Sequence, residues 1–231
     1  MSDERCDVCD SRRHVGTCTG FPGAVYVHHG QGWFPWEEAL ALEDIYEVDW
    51  DDVWSFTQYG LPHRDRVVIV DTETTGLDPT KNEMVEIAWY DCSYDSMIHE
   101  AVVPHTLADH SPEALRINRY MERGLDDHQQ WCAPDKLAKV LSGVFDGAII
   151  AGSNVPYDQS FIEAWGGPSV ASWDHRKLEI GSAAMGFLQR RHPLRLREVS
   201  EALGLSVWPD HTAKGDVLVV QHALTKIWGD D

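Results

Sequence analysis

The chain has few basic residues, no long apolar run and few cysteines. It carries 19 Lys and Arg against 38 Asp and Glu, a formal net charge of −19, which disfavours tight duplex binding because non-specific affinity for nucleic acid comes largely from cations. No apolar stretch approaches membrane-spanning length, so no membrane partner is expected. Five cysteines are an odd number, and no hydrophobic leader is visible. We therefore expect no disulfide framework and a cytoplasmic location.

What is present is the composition of an ordinary globular protein. Hydrophobic residues make up 43% and charged residues 25% of the 231 residues, enough for one packed domain and a smaller additional part. We predict an accessory segment over residues 1–62 and a main domain over residues 65–231.

The first of three acidic clusters follows an apolar run. Residues 66–71 predict a buried strand with Asp71 at its end. Glu73 lies two residues further, so both carboxylates share one face of an extended chain. They repel each other unless a cation lies between them, and oxygen ligands suit Mg²⁺ or Mn²⁺. A solvated acidic pair near a turn is the alternative.

The second cluster follows an apolar strand predicted over residues 148–152. Residues 157–165 have the apolar spacing of a helix, and Pro156 fits its first turn. Asn154 then lies at or just before the cap and Asp158 in the first turn, where a helix favours an anion. On this segment alone, a simple cap and a dipole-complementing acid are an equally good interpretation.

The third cluster pairs His211 with Asp216 before a buried helix. Five residues along a continuous helix rotate a side chain by about 140°, so both cannot face one point from within it. We predict that His211 lies on the loop entering the helix and Asp216 in the first turns. A histidine on such a loop suits a general base, although most of the 12 histidines have no such role.

The ordered set of clusters resembles the DEDDh family of 3′→5′ exonucleases. In chain order, the matching residues are Asp71 and Glu73 in DTETTGLDP, Asn154 and Asp158 in AGSNVPYDQSFI, and His211 and Asp216 in HTAKGDV. The resemblance covers about residues 65–231 and is specific for the activity class rather than for the substrate.

The resemblance implies an RNase H-like α/β fold, a mixed central sheet flanked by helices. Alternating strands and helices in the chain predict the same layering. The strands are predicted at 66–71, 84–91, 97–103 and 148–152, and the helices near 112–122, 135–145, 157–165, 176–190, 196–203 and 213–228.

The resemblance also implies hydrolysis from the 3′ end of single-stranded nucleic acid, DNA in our first interpretation, with two Mg²⁺ or Mn²⁺ ions. The implied metal ligands are Asp71, Glu73, Asp158 and Asp216; His211 is the implied base, and Thr74 and Asn154 the implied substrate contacts. With His211 as base, activity should rise between about pH 6 and 8. Two alternatives are an exoribonuclease acting on RNA ends or short oligoribonucleotides and a catalytically silent, zinc-containing nucleic-acid adaptor.

The accessory segment contains a candidate structural Zn²⁺ site. Its four residues approach the spacing of a zinc knuckle, with three rather than four residues before the last cysteine: Cys6, Cys9, His14 and Cys18. Closely spaced thiolates favour zinc, and His28 or His29, on a hairpin predicted over residues 24–34, could replace the first histidine. Reduced thiols without a metal are the alternative.

Charge is unevenly distributed along the chain. Residues 37–53 hold eight acids and no base, and either pack on the main domain or dock a cationic protein partner. Two cationic groups either contact a strand or serve as solvated faces and partners of nearby acids: Arg116, Arg119 and Arg123, and Arg190, Arg191, His192, Arg195 and Arg197.

Overall fold

A computed structural model describes residues 15–16, 26–29, 32–35, 66–93 and 98–229. The chain divides into two compact units, Met1–Pro62 with Tyr94–Ser96 and His63–Ser93 with Met97–Asp231. Outside the described residues lie the acidic stretch 37–53 and the candidate zinc ligands Cys6, Cys9, His14 and Cys18.

In the first unit the structure describes three short antiparallel strands. They are β1 (Val15–Gly16), β2 (Tyr26–His29) and β3 (Gly32–Pro35), with β2 in the middle. The hairpin predicted around residues 24–34 is confirmed, because β2 and β3 are its two arms. A zinc-binding role for His28 or His29 stays a prediction.

The second unit is built on a mixed five-stranded sheet. Its strands are β4 (Val67–Thr74), β5 (Met84–Asp91), β6 (His99–Val102), β7 (Ile149–Gly152) and β8 (Lys177–Glu179), in the spatial order β6-β5-β4-β7-β8. β4, β5 and β6 pair antiparallel, whereas β7 and β8 extend the sheet in parallel. The four predicted strands are confirmed, but β4 continues to Thr74 instead of ending at Asp71.

The described helices are α1 (Pro112–Ile117), α2 (Tyr120–Arg123), α3 (Pro134–Phe145), α4 (Val155–Gly166), α5 (Ile180–Phe187), α6 (Leu196–Leu203) and α7 (Ala213–Trp228). A 3₁₀ turn spans His128–Gln130. Among these helices, none has the length and apolar character that crossing a membrane requires.

Successive side chains of β4 point to opposite faces of the sheet and pack into two separate core layers. Val68 and Val70 pack with side chains of α3 and α4, whereas Ile69 packs with side chains of α5, α6 and α7. Because strand side chains alternate between faces, Asp71 and Glu73 continue the Ile69 face toward α7. The threonines between and after them continue the opposite face toward α4.

Two helix predictions were wrong in part. The helix predicted over 176–190 begins as strand β8, and α5 starts only at Ile180. A three-residue strand is too short for a period-two pattern to identify it. The helix predicted over 112–122 is two helices, because Arg119 adopts φ 54°, a left-handed conformation that a right-handed helix cannot contain.

Candidate active site

The acidic clusters meet where β4 extends beyond its parallel neighbour. β7 pairs with β4 only from Val67 to Ile69, so the later residues of β4 have an open edge on that side. Asp158, in the first turn of α4, covers this edge. Its Oδ1 accepts hydrogen bonds from the backbone N–H and the hydroxyl of Thr72, each at 2.8 Å. The second cluster is thereby attached to the residue between Asp71 and Glu73.

The pKa of Asp71 shows how close the four carboxylates lie. Burial raises this pKa well above its ordinary value, and the charges of Asp158, Asp216 and Glu73 raise it further. Burial, Asp216 and Glu86 likewise raise the pKa of Glu73 to about 9. The four carboxylates named from the sequence therefore form one electrostatic cluster.

Local hydrogen bonds moderate this repulsion at two of the carboxylates. Burial raises the pKa of Asp158, and the two hydrogen bonds from Thr72 act in the opposite direction. Burial also raises the pKa of Asp216, while the N–H of Asp210, at 3.1 Å, and the charge of His211 lower it. Both side chains are thus held in place by neighbours that favour the ionised form.

His211 lies on the loop entering α7 and Asp216 in the first turn of that helix, as predicted. The backbone of His211 has φ 59°, a left-handed conformation that costs a non-glycine residue roughly 1–2 kcal/mol. The flanking residues hold this conformation: Thr212 caps α7 through Gly215, and Asp210 Oδ1 accepts the N–H and hydroxyl of Thr212. The imidazole is exposed beside the carboxylate cluster.

The two candidate substrate contacts are held differently. Asn154 is the N-cap residue of α4, but its side chain makes no capping hydrogen bond. Instead, its N–H and that of Val155 donate to the Glu179 carboxylate at 2.9 and 2.8 Å. The interpretation of Asn154 as a simple side-chain cap is therefore wrong, and its exposed amide is available to a ligand. The buried Thr74 hydroxyl instead donates to the carbonyl of Gly76 at 2.7 Å.

Sequence reasoning missed Glu86. This residue lies on β5 opposite Glu73 and is only 2% exposed. Its carboxylate accepts the N–H of Ala213, the first residue of α7, at 3.1 Å and forms an ion pair with Arg123. Glu86 therefore anchors the helix that carries Asp216. An acid inside an otherwise apolar strand is the signal that could have identified it.

The cations of α1 and α2 serve the fold. Arg116 pairs with Glu113 at 3.9 Å, Arg119 with Asp210 at 3.3 Å, and Arg123 with Glu86. The structure therefore supports the interpretation that these arginines are partners of nearby acids.

The donor chemistry of the carboxylate cluster fits divalent cations. Carboxylates that raise one another's pKa are stabilised when a hard dication lies among them. As they stand, no three His, Cys, Asp or Glu side chains among the described residues are placed to hold one ion together. Binding therefore requires side-chain rotations. Asp71 and Glu73 can make them, because no side-chain hydrogen bond within the described ranges fixes their carboxylates.

Comparison with known proteins places this site in a family. The family model described as an exonuclease matches residues 68–224. The PolC-type DNA polymerases III of Thermotoga petrophila and Thermotoga maritima are each 27% identical over 157 residues, which is 66% of this chain and 11% of those proteins. The chain thus spans about a tenth of the length of these curated relatives.

Solved structures share the fold. Exonuclease I of Methylocaldum szegediense is 16% identical, with a TM-score of 0.54 over 71% of this chain and 40% of that one. E. coli Exonuclease I in complex with a dT13 oligonucleotide is 18% identical, with a TM-score of 0.53 over 70% of this chain and 41% of that one. The predicted RNase H-like fold is confirmed. Since the family model covers more than half of its residues, the chain belongs to the exonuclease family.

Proposed function

We propose that this chain removes nucleotides from the 3′ end of single-stranded DNA by a reaction that uses two Mg²⁺ or Mn²⁺ ions. The observation that carries the proposal is the cluster of four mutually repelling carboxylates beside the exposed imidazole of His211. A binding protein without catalytic activity has no need of such a cluster, because the repulsion costs stability and the acids repel a polyanion.

Divalent metal ions are generally used by enzymes of this family. Here Asp71, Glu73, Asp158 and Asp216 would hold them. Metal ions at such sites lower the pKa of a bound water and offset the charge that develops at phosphorus.

His211 would remove the proton from the attacking water. Its exposure gives it access to solvent, and its left-handed backbone is fixed by the loop around Asp210 and Thr212. The charge of His211 lowers the pKa of Asp216, so the ring lies close to the proposed metal ligands. This proximity supports the general-base assignment.

Asn154 and Thr74 are proposed to position the terminal nucleotide. The amide of Asn154 is exposed and is not used in capping. The Thr74 hydroxyl contacts the carbonyl of Gly76 and the hydroxyl of Tyr157, so it would act by supporting the turn after β4.

Single-stranded DNA is favoured over RNA by the relatives. The curated relatives are named DNA polymerases, and one solved neighbour carries a dT13 oligonucleotide. Location in the cytoplasm, a zinc site in the accessory segment and a protein partner for residues 37–53 remain proposals that rest on the sequence.

The test compares 3′-labelled and 5′-labelled single strands of DNA and RNA in one gel, with Mg²⁺, Mn²⁺ or EDTA. We expect immediate loss of the 3′ label, progressive shortening of the 5′-labelled DNA, and no reaction in EDTA. Shortening from the 5′ end would overturn the assigned polarity. Faster loss of RNA would favour the exoribonuclease alternative, and binding without cleavage in either ion would favour the silent adaptor.

A further inference from the structure

We infer that four arginines around the start of α6, together with Trp208, bind the DNA strand upstream of the cleaved end. We call this set the arginine track; its residues are Arg190, Arg191, Arg195, Arg197 and Trp208. The inference rests on the proposed function, because it names the surface by which the same site would hold its substrate.

The four arginines differ from Arg116, Arg119 and Arg123 in their charged neighbours. All four are exposed, and none forms an ion pair within residues 66–93 and 98–229. The acid among them, Glu198, accepts the backbone N–H of Arg195 at 2.8 Å and so caps the start of α6. In a chain with a net charge of −19, this concentration of uncompensated positive charge is suited to a polyanion.

Trp208 adds an aromatic surface to these charges. The side chain is 47% exposed, and the guanidinium carbon of Arg197 lies 5.7 Å from the centroid of its ring. An accessible aromatic face beside cations is the combination by which proteins bind single strands, because bases stack on the ring while phosphates pair with the cations. A partner with regularly spaced phosphates and exposed bases therefore fits this surface.

Each end of the track is attached to the candidate active site. Trp208 lies on the same loop as His211, and Asp210 of that loop donates its N–H to Asp216. At the other end, the N–H of Leu194 donates to the carbonyl of Gly181 in α5. That helix directly follows Glu179, which caps the helix carrying Asp158. A strand lying on the track would therefore continue toward the carboxylate cluster.

The first experiment removes two charges of the track. The variant Arg190→Gln with Arg191→Gln is compared with Lys136→Gln with Lys139→Gln, which changes the net charge equally on exposed positions of α3, in the opposite layer of the sheet. Binding of a fluorescent dT decamer is measured by anisotropy with Ca²⁺ over a range of salt concentrations. We expect the arginine variant to bind about 10-fold more weakly at low salt, with a log–log salt slope shallower by about 1.4, and the lysine variant to bind like the wild type.

Hydrolysis assays then distinguish an effect on strand binding from an effect on the chemical step. With Mn²⁺, the arginine variant should raise KM for the decamer about 10-fold and leave hydrolysis of the p-nitrophenyl ester of thymidine 5′-monophosphate unchanged. That ester has no upstream nucleotides and cannot reach the track.

Trp208 is tested separately. We expect Trp208→Ala to weaken decamer binding about 10-fold and Trp208→Phe to recover most of it, because a smaller ring still stacks with a base. Equal effects of both substitutions would remove stacking from the account.

The outcomes distinguish the two levels of the proposal. Decamer binding that is unchanged in the arginine variant, or weakened equally in the lysine control, overturns the track. Binding that depends on the arginines in a wild-type protein that hydrolyses neither substrate overturns the proposed function and leaves the track standing.

Discussion

Asp71 is the residue at which the proposed metal binding conflicts with folding stability. Four other acids raise its pKa in addition to burial, so the charge that would bind a metal also works against folding. By contrast, Asp91 at the end of the neighbouring strand β5 lies 3.3 Å from the buried Arg66. Burial raises the pKa of both aspartates, but the charge of Arg66 lowers that of Asp91, whereas neighbouring acids raise that of Asp71 further.

Asp71→Asn should remove hydrolysis and stabilise the metal-free fold. The amide keeps the shape and lowers the repulsion, so we expect activity to fall by about 10³-fold or more and the free energy of unfolding in EDTA to rise by about 1 kcal/mol. Urea unfolding and oligonucleotide hydrolysis measure the two effects. As the control, Asp91→Asn should cost about 3 kcal/mol by leaving Arg66 without its charged partner and should preserve the chemistry. Near-normal hydrolysis by Asp71→Asn would refute the site.

The metal-free protein should lose stability as pH rises. Glu73 holds its proton to about pH 9 in the folded protein, against an ordinary pKa of 4.5. Between these values the folded state binds more protons than the unfolded state, so the free energy of unfolding decreases with pH. Excess Mg²⁺ should flatten this dependence, because a dication replaces the protons.

Thermal unfolding in EDTA and in Mg²⁺, between about pH 5 and 9, checks this expectation. A pH dependence identical with and without Mg²⁺ would show that the carboxylates do not share a metal.

At the scale of elements, the loop before α7 is held from both sides. Arg119, the N-cap residue of α2, donates to the carbonyl and the carboxylate of Asp210, both at 3.3 Å, from a left-handed backbone. Glu86 on β5 anchors the first N–H of the helix. These contacts connect α2 and β5 to the position of His211.

The variant Arg119→Gly should loosen the His211 loop while leaving the stability of the protein nearly unchanged. Glycine adopts φ 54° without strain, which gains about 1 kcal/mol, and the exposed ion pair that is lost is worth less than about 1 kcal/mol. We expect unfolding to change little and kcat to fall about 10-fold as the His211 loop loosens, with KM nearly constant. Arg116→Ala, which removes the exposed partner of Glu113, should leave kcat unchanged. A wild-type kcat in Arg119→Gly would show that the loop needs no such anchor.

Two glycines of α5 provide a matched pair. A Cβ at Gly181 would lie 2.1 Å from the carbonyl oxygen of Leu194, whereas one at Gly186 meets nothing within 4 Å. Gly181→Ala should therefore destabilise the protein by about 2–3 kcal/mol by displacing the segment before α6. Gly186→Ala should stabilise it by about 0.5–1 kcal/mol through helix propensity. Denaturant unfolding of both variants decides this, and equal stabilities would contradict the described contact.

Sequence patterns predicted elements whose periodicity is strong and failed where a neighbour decides the structure. β4 and β5 are long and apolar, and α7 has a clear N-terminal motif, so they were recognised. β8 has three residues and exists because it pairs with β7, which no local pattern encodes. At the break, the Arg119 side chain likewise contacts Asp210, which lies 91 residues further along the chain.

The site shows the same division. Asp71, Glu73, Asp158 and Asp216 were identified because each belongs to a short ordered motif. Glu86 and Glu179, which support them, were not identified, because they act through contacts between elements. Sequence motifs therefore identified the carboxylates proposed to bind metal, whereas the residues that position them became visible only in the folded structure.

At the scale of the whole molecule, an acidic chain would have to bind a polyanionic substrate. The carboxylates that contribute to the charge of −19 include the proposed metal ligands, and bound cations would offset their repulsion of phosphate. The arginine track supplies the remaining attraction over a few nucleotides. We therefore expect weak, salt-sensitive binding and distributive cleavage.

The most direct measurement of the central claim is a calorimetric titration of Mn²⁺ into the wild-type protein and the Asp71→Asn variant. We predict that the wild type binds about two ions and releases protons, since the raised carboxylate pKa values require deprotonation on binding, and that Asp71→Asn loses most of this uptake. Equal Mn²⁺ binding by both proteins, or none by the wild type, would contradict the claim that these carboxylates form one metal-dependent site.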